Sequence, residues 1–342
     1  MRQERVYSNR QHWRWLGLII AAFVVVGTVC CCVTRKTIFP AETRAPETFP
    51  SADIVYKSAH GVGFINADGS GLAYVPLVVK DFRGNVTDWW RPVITADNRT
   101  LIVKVIDYFY HGASTPSYLV TWRNNELPVW CIQWGGKQQL PLLSVDQNHI
   151  FIQTEQGLAL YKLNSCGTDD LPLKIYEGIL GVPSPDLRYV AYTNDIPGWE
   201  DNRFIVIHEI SSGIEWTIGM GDYPAWSRDS QWLAYTGTDG IYIVNVVKNI
   251  PPRRVLLYLD PVDKRDYTYR AGAPGKLPPE VSWSPDGEWL VYHKWRGTGG
   301  DTGGNADYNA IYKLNIETGE EIKIIDGGMY PYWRWPAEQP GE

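Results

Sequence analysis

The chain has 342 residues, a formal net charge of −6 and an aromatic content of 13%. Its first 36 residues carry a net charge of +5, which leaves −11 for the remainder, and such an acidic body argues against nucleic acid or an anionic membrane surface as the main partner. The roughly 290 residues beyond position 50 can bury a large core, single all-β domains of this size are common, and the many Trp and Tyr residues favour β structure.

An apolar segment near the N-terminus determines the predicted location of the chain. Trp15–Val33 is about 19 uncharged, mostly apolar residues, close to the length that spans a bilayer. Four arginines precede it and two basic residues follow it, so the positive-inside rule predicts a cytoplasmic tail at 1–14, a transmembrane signal anchor at 15–33 and an extracytoplasmic C-terminal domain. The alternative is a cleaved signal peptide, including a lipoprotein signal with Cys30 as the acylated residue, although Gly27–Cys30 matches such a site poorly.

The segment that follows the apolar stretch is rich in Pro, Thr and Glu. Residues 34–51 show no apolar periodicity, a composition typical of an extended tether or a plain disordered linker. We therefore expect one folded domain at 52–336 and a short tail at 337–342, in a single-pass protein of the cell membrane.

A turn-and-strand unit recurs along this domain. Its clearest copy is Val281–His293, in which Ser-Pro-Asp-Gly supplies turn chemistry and a short apolar run predicts a strand. Weaker copies are found at Pro92–Val103, Leu143–Ile152, Pro183–Tyr192 and Pro224–Tyr235. Their aspartates are about 40 to 57 residues apart, the period expected of propeller blades.

The units predict about six blades of four strands each. We assign the inner strand to the residues directly after each aspartate turn, and the last strand of each unit to the residues that lead into the next turn. Pro331–Trp335 matches the opening of one more unit, so it is expected to supply the final strand and close the ring.

The repeats also carry a family resemblance. The Trp-Ser-Pro-Asp-Gly turn, the Leu-Val-Tyr strand and the hairpin Ile311–Gly319 resemble WD40-like (TolB-like) propeller repeats, over residues from about 51 to 336. The resemblance implies an all-β, six-bladed β-propeller, here preceded by a single N-terminal transmembrane helix. It says little about function, since that family includes partner-binding propellers and non-catalytic domains of peptidases.

The repeated aspartates could be imagined as an acidic ring for a metal, but each is expected to cap its own turn by hydrogen bonds to backbone amides. Trp226 and Trp283 are interpreted as packing between blades for the same reason. No metal and no cofactor is predicted.

Signatures of catalysis are mostly missing from the sequence. There is no nucleophile elbow, no zincin motif, no Walker-type loop and no zinc-spaced Cys/His set. Cys131 and Cys166 are the two cysteines of the domain, and an exported location permits but does not require a disulfide between them.

Long connections are expected on one face of the propeller. They are Val78–Arg91, Ile106–Pro116, Asn194–Arg203, Asp260–Pro279 and Lys294–Asn309, and functional residues concentrate on such loops. They carry aromatic and acidic side chains typical of a recognition surface, and the predicted binding residues are Tyr108, His111, Trp199, Glu200, Asp201, Tyr267, Tyr269, Trp295 and Asp301.

The sequence therefore predicts a membrane-anchored, extracytoplasmic propeller that binds a protein or a cell-envelope polymer without catalysis, with Trp199, Tyr267 and Trp295 as anchors. The alternative is a glycan-active hydrolase or lyase that uses loop carboxylates such as Glu200, Asp201 and Asp301.

Overall fold

The computed structural model describes residues 46–77, 79–80, 86–87, 89–106, 117–123, 129–133, 142–143, 149–154, 157–163, 172–177, 181–196, 199–237, 240–248, 251–257, 280–295 and 309–336. All of them fall within one compact unit, residues 38–342. They form six four-stranded sheets and one two-stranded sheet.

The first three blades use the N-terminal half of the domain and the last strand of the chain. Blade one consists of β1 (Ile54–Ser58), β2 (Gly61–Ile65), β3 (Ala73–Val75) and β26 (Met329–Trp333). The two-stranded sheet follows as β4 (Val79–Lys80) and β5 (Val86–Thr87). Blade two consists of β6 (Trp89–Ile94), β7 (Thr100–Ile106), β8 (Ser117–Arg123) and β9 (Val129–Gln133). Blade three consists of β10 (Leu142–Leu143), β11 (His149–Thr154), β12 (Gly157–Lys162) and β13 (Lys174–Glu177).

The other three blades follow one another along the chain. Blade four consists of β14 (Val182–Pro183), β15 (Tyr189–Ile196), β16 (Trp199–Glu209) and β17 (Glu215–Met220). Blade five consists of β18 (Asp222–Trp226), β19 (Trp232–Thr236), β20 (Gly240–Asn245) and β21 (Arg253–Leu257). Blade six consists of β22 (Val281–Trp283), β23 (Trp289–Trp295), β24 (Asn309–Asn315) and β25 (Glu321–Asp326). The prediction of an all-β, six-bladed propeller is confirmed.

The strand that precedes each aspartate turn pairs with the strand that follows it, and both belong to the same blade. These preceding strands contact one another from blade to blade, in the order β14, β18, β22, β26 and β6, which places them around the propeller axis. The assignment of the inner strand to the residues after the turn is therefore wrong, since those residues form the second strand. A turn motif indicates that two strands are joined, but not which of them faces the axis.

Each turn aspartate closes its own turn. Asp286 Oδ1 accepts a hydrogen bond from the backbone N–H of Glu288 at 2.9 Å, and the Ser284 hydroxyl accepts one from the N–H of Trp289 at 2.9 Å. The same two bonds recur in the turns of Asp97, Asp186 and Asp229. The interpretation of these four aspartates as turn caps is confirmed.

The hydrophobic core lies between neighbouring blades. Val55 and Phe64 of blade one belong to the same buried cluster as Leu101 and Val103 of blade two. Similar clusters join blades two and three, four and five, five and six, and six and one. Because each sheet is apolar on both faces, a blade is stable only between its neighbours.

Two buried tryptophans lock neighbouring blades together. Trp226 Nε1 donates a hydrogen bond to the carbonyl of Val182 in blade four at 2.8 Å, and Trp283 Nε1 donates one to the carbonyl of Ala225 in blade five at 2.9 Å. The predicted packing role of both indoles between blades is confirmed.

The C-terminal strand closes the ring. β26 pairs with β1, so the sheet of blade one combines three N-terminal strands with the last strand of the domain. The backbone N–H of Arg334 also donates to the carbonyl of Asp53 at 2.8 Å. The predicted closure by the Pro331–Trp335 region is confirmed.

Two predicted long connections contain strands. The segment Asn194–Arg203 is a continuation of the β15–β16 hairpin, in which Asn194 pairs with Phe204 and Asp195 with Arg203. The segment Val78–Arg91 contains the β4–β5 hairpin and the start of β6. The prediction of open loops there is wrong, because polar residues can extend a hairpin beyond the core when its backbone hydrogen bonds continue.

The predicted transmembrane segment at 15–33 and the linker up to residue 45 lie outside the described residues. Within the part that the structure describes, no helix is long and apolar enough to cross a membrane.

Candidate functional site

Chain topology brings polar side chains of several blades to one end of the central channel. In each blade the first strand runs towards the aspartate turn and the second strand runs away from it, so the start of the first and the end of the second lie at the same end. We call this end the channel mouth and define it by Arg91, Lys104, Tyr223, Glu280, His293 and Tyr330. β7 and β23 end at this channel end, and β22 begins there.

The residues of the channel mouth occupy two repeated positions. The first is three residues before the last residue of the innermost strand, and it holds Arg91, Tyr223, Glu280 and Tyr330. The second is seven residues beyond the turn aspartate, and it holds Lys104, Thr193, Thr236 and His293. One local pattern, repeated by blade, thus builds a ring of polar groups around the axis.

The innermost strands are strained at this ring. Arg91, Tyr223 and Tyr330 have left-handed backbones, with φ of 55°, 55° and 50°. Each precedes a proline, and the strand register shifts at each, as it does at a β-bulge. Such conformations cost about 1–3 kcal/mol each and cluster at functional sites. Three blades therefore hold the same costly geometry at the position where their side chains meet.

Arg91 links three blades. Its guanidinium donates a hydrogen bond to the carboxylate of Glu280 and lies over the ring of Tyr223, with 5.7 Å between Cζ and the ring centroid. Arg91 belongs to blade two, Glu280 to blade six and Tyr223 to blade five, so the side chain extends across the channel. Burial lowers the pKa of Arg91, while Tyr223, Tyr330 and Asp222 act in the opposite direction.

Lys104 is a buried lysine whose ionisation is affected by Arg91. Only 3% of the residue is exposed, and no hydrogen bond or ion pair joins it to another residue in the described ranges. Burial and the neighbouring charge of Arg91 lower the pKa of Lys104 to about 7. A lysine shifted this far from its usual value is a feature of functional sites.

His293 forms the wall of the channel mouth towards blade one. It is buried, and its Nδ1 accepts a hydrogen bond from the backbone N–H of Tyr330 at 3.4 Å. The two rings meet edge to face, with 5.1 Å between their centroids. Burial, with a smaller effect from Arg91, lowers the pKa of His293 to about 4. The imidazole is therefore neutral at physiological pH.

A second ion pair lies next to the mouth. Arg203 of β16 pairs with Asp222 of β18, and the Thr193 hydroxyl donates to Asp222 Oδ1 at 2.8 Å. The backbone N–H of Tyr223 also donates to Asp222 Oδ1 at 2.8 Å, which ties the strained residue to this pair. The arrangement joins blades four and five, and Arg203 balances the charge of Asp222.

The structure describes only part of the predicted binding set. Trp199, Glu200 and Asp201 lie on β16, and Trp295 is the last residue of β23. β16 begins and β23 ends at the channel-mouth end of their blades. The other predicted residues, Tyr108, His111, Tyr267, Tyr269 and Asp301, lie outside the described residues. Cys166 does too, so its pairing with Cys131 of β9 stays open.

Sequence reasoning missed the channel mouth itself. The signal that could have found it is the proline after Arg91, Tyr223 and Tyr330, which recurs two residues before the end of each of these strands. No group of three or more metal-binding side chains is formed among the described residues.

Comparison with known proteins identifies the fold. No protein-family model matches the sequence, and no curated protein matches it. TolB from Acinetobacter baumannii is similar with a TM-score of 0.50 and 12% identity, over 82% of this chain and 65% of TolB, so the chain spans less than two thirds of that protein. The β-propeller domain of the Trilobed protease from Pyrococcus furiosus is similar with a TM-score of 0.28 and 11% identity, over 70% of this chain and 58% of that protein. The GH74 enzyme of Niastella koreensis is similar with a TM-score of 0.39 and 10% identity, over 84% of this chain and 47% of that enzyme.

Proposed function

From its TolB-like six-bladed β-propeller fold, we propose that this chain is a membrane-anchored, extracytoplasmic binding module that holds a protein partner at the channel mouth. The observation that carries the proposal is the buried charged cluster at Arg91, built by strained backbone from several blades. The strained backbone fixes these polar groups in place before a partner binds. Groups that are fixed in advance lower the entropic cost of recognition.

The channel carboxylates favour binding over catalysis. Glu280 is paired with Arg91, and Asp222 with Arg203. A carboxylate that acts as a general acid or base must reach the reacting proton of the substrate, whereas each of these two carboxylates is bound to an arginine of the protein. These two groups therefore suit a rigid recognition surface.

We propose that the aromatic residues predicted from the sequence also belong to this binding site. Trp199 begins β16 and Trp295 ends β23, and Tyr267 belongs to the connection between blades five and six in the sequence. Large aromatic side chains supply contact area at low entropic cost. We expect them to surround the charged centre as apolar anchors.

Capture of the partner tests this proposal. The full chain, solubilised in mild detergent, would be used to retain ligands from native envelope extract, with mass spectrometry and glycan analysis of the eluates. A protein retained by the wild type and lost by the variant Trp199→Ala/Tyr267→Ala/Trp295→Ala would support it. Ile214→Ala is the matched control, because Ile214 is exposed on a turn at the opposite end of blade four.

Other results of the same experiment would change the assignment. A protein held equally by wild type and triple variant would move the binding site away from these anchors. A glycan that is retained and cleaved would favour the alternative enzyme, with Glu200, Asp201 and Asp301 as the carboxylates to substitute.

The membrane anchor is a separate part of the proposal. It rests on the apolar stretch Trp15–Val33 and on the excess of positive charge before it. The full chain should remain in the membrane pellet after an alkaline wash, and protease added outside intact cells should digest the propeller. Release of the chain by the wash, or protection of the propeller, would contradict the anchor or its orientation.

A further inference from the structure

Within the proposed binding function, we propose that Lys104 and Arg91 form an anion-binding site that receives a carboxylate or phosphate group of the partner. The inference depends on the partner binding at the channel mouth. It adds the chemical class that the site recognises, which neither the fold nor the sequence motifs specify.

The first observation is the isolation of Lys104. Its side chain is buried on β7, yet Arg91 is the one charged group in the described ranges that affects its ionisation, and it is of the same sign. Burying a cation without an opposite charge is costly. Proteins retain such groups where a ligand supplies the missing charge.

The second observation is an unused donor on Arg91. Its Nε lies buried and has no hydrogen-bond acceptor among the described residues, while its terminal nitrogen is bonded to Glu280. Arginine presents its donors as a planar fork that matches an oxyanion. Arg91 can therefore bind an anion without releasing Glu280.

The third observation is the charge balance around Lys104. The carboxylates Glu280 and Asp222 are each paired with an arginine. His293 and Tyr223 complete the mouth as neutral groups, because burial lowers the pKa of His293 and raises the pKa of Tyr223. Among the described residues of the mouth, Lys104 is thus left without a carboxylate partner, and one oxyanion would supply the missing negative charge.

The backbone keeps this site in place before the ligand arrives. Arg91 sits on the bulge of β6, where the register shifts between Trp90 and Val93, and Trp90 pairs directly with Lys104. Both donors therefore project from one rigid hairpin. A ligand anion gains two charged donors without reorganisation of the strands.

Direct titration tests the site independently of any partner. The full chain labelled with ¹³C at lysine Cε would be titrated with sodium acetate and, separately, with inorganic phosphate, and the pKa of Lys104 would be followed by NMR. We expect one probe to raise this pKa by at least one unit, a tenfold change in proton affinity. The probe that does so distinguishes a carboxylate ligand from a phosphate ligand.

Matched variants make the result specific. Lys104→Met keeps the length of the side chain and removes its charge, so it should weaken probe binding at least tenfold and release a protein partner in the capture experiment. Lys294→Met is the control, because Lys294 is a partly exposed lysine that already pairs with Glu321; this variant should bind like the wild type.

Three results would overturn the anion site. They are a pKa of Lys104 near its usual value in the free protein, the absence of any response to both probes, and equal capture of the partner by wild type and Lys104→Met. The last result would leave the binding function intact. Conversely, probe binding in a protein that captures no partner would support the anion site and contradict the proposed function.

Discussion

The Arg91 guanidinium hydrogen-bonds to the Glu280 carboxylate, although 189 residues separate the two in the sequence. Arg91 lies on β6 of blade two and Glu280 directly precedes β22 of blade six, with blade one between them. The pair is buried and can form only when the ring is closed. It therefore reports on the closed propeller and on the integrity of the channel mouth.

Breaking this pair should destabilise the fold. Arg91→Met leaves the Glu280 carboxylate buried without its counter-ion, so we expect a loss of about 3–5 kcal/mol in the free energy of unfolding, measured with urea. The double variant Arg91→Met/Glu280→Met should lose less than the sum of the two single changes. Lys323→Met, which breaks an exposed pair with Asp326, should change stability by less than about 0.5 kcal/mol. A wild-type unfolding curve for Arg91→Met would contradict the burial of the pair.

Lys104 should make stability depend on alkaline pH. Its folded-state pKa of about 7 is below the unfolded value of 10.5, so the unfolded chain binds an extra proton between these values and stability should rise with pH across that window. Lys104→Met removes the penalty and should be more stable than wild type near pH 7, by up to about 4 kcal/mol. The difference should shrink towards pH 10.5. Parallel pH profiles of the two proteins in urea unfolding would exclude the shift, and Lys294→Met should follow the wild type.

His293 should make the stability of the fold depend on pH in the acidic range as well. Burial lowers its folded-state pKa to about 4, against 6.5 for an unperturbed imidazole. The unfolded chain therefore takes up a proton first as the pH falls, and stability should be lost between pH 6.5 and 4, by up to about 3 kcal/mol. His293→Gln should flatten this part of the profile, whereas His208→Gln, beside Glu215 on a partly exposed strand, should leave the step near pH 4 to 6.5 in place.

Trp226 should stabilise the fold by more than the burial of its apolar surface alone. Trp226→Phe removes the hydrogen bond to the Val182 carbonyl, at a cost of about 0.5–1.5 kcal/mol. Trp226→Ala also opens a cavity between blades and should cost about 3–5 kcal/mol. Urea unfolding measures both, with Ile214→Ala as an exposed control expected within about 0.5 kcal/mol of wild type. Equal stability of the Phe variant and wild type would show that the bond is replaced by water.

The closing strand should be indispensable. A chain that stops at residue 328 lacks β26, so β1 becomes an open edge and blade six loses its neighbour at the axis. We expect loss of cooperative unfolding and of near-ultraviolet circular dichroism. A chain that stops at residue 336 keeps β26 and the bond from Trp335 Nε1 to the Trp283 carbonyl at 2.8 Å, and it should unfold as the full chain does. Cooperative folding of the shorter chain would contradict closure by β26 as a requirement.

Much of the propeller could be predicted because its signals are local. The Ser-Pro-Asp-Gly turn fixes its own hydrogen bonds within six residues, from Ser284 to Trp289, so the turns, the strands beside them and the number of blades follow from short windows of sequence. The incomplete unit at Pro331–Trp335 indicated ring closure for the same reason. The prediction of an open loop at Asn194–Arg203 is wrong, because a polar composition does not exclude strand pairing.

What the sequence by itself determined is therefore the repeated unit: a capped turn, two strands and a tryptophan wedge. Only the tertiary structure decided which strand lines the axis, and that Arg91, Lys104, Glu280 and His293 lie around one channel end. These residues come from blades two and six, and no hydrogen bond between sequence neighbours links the two blades. They meet because the ring closes and brings together side chains that are far apart in the sequence.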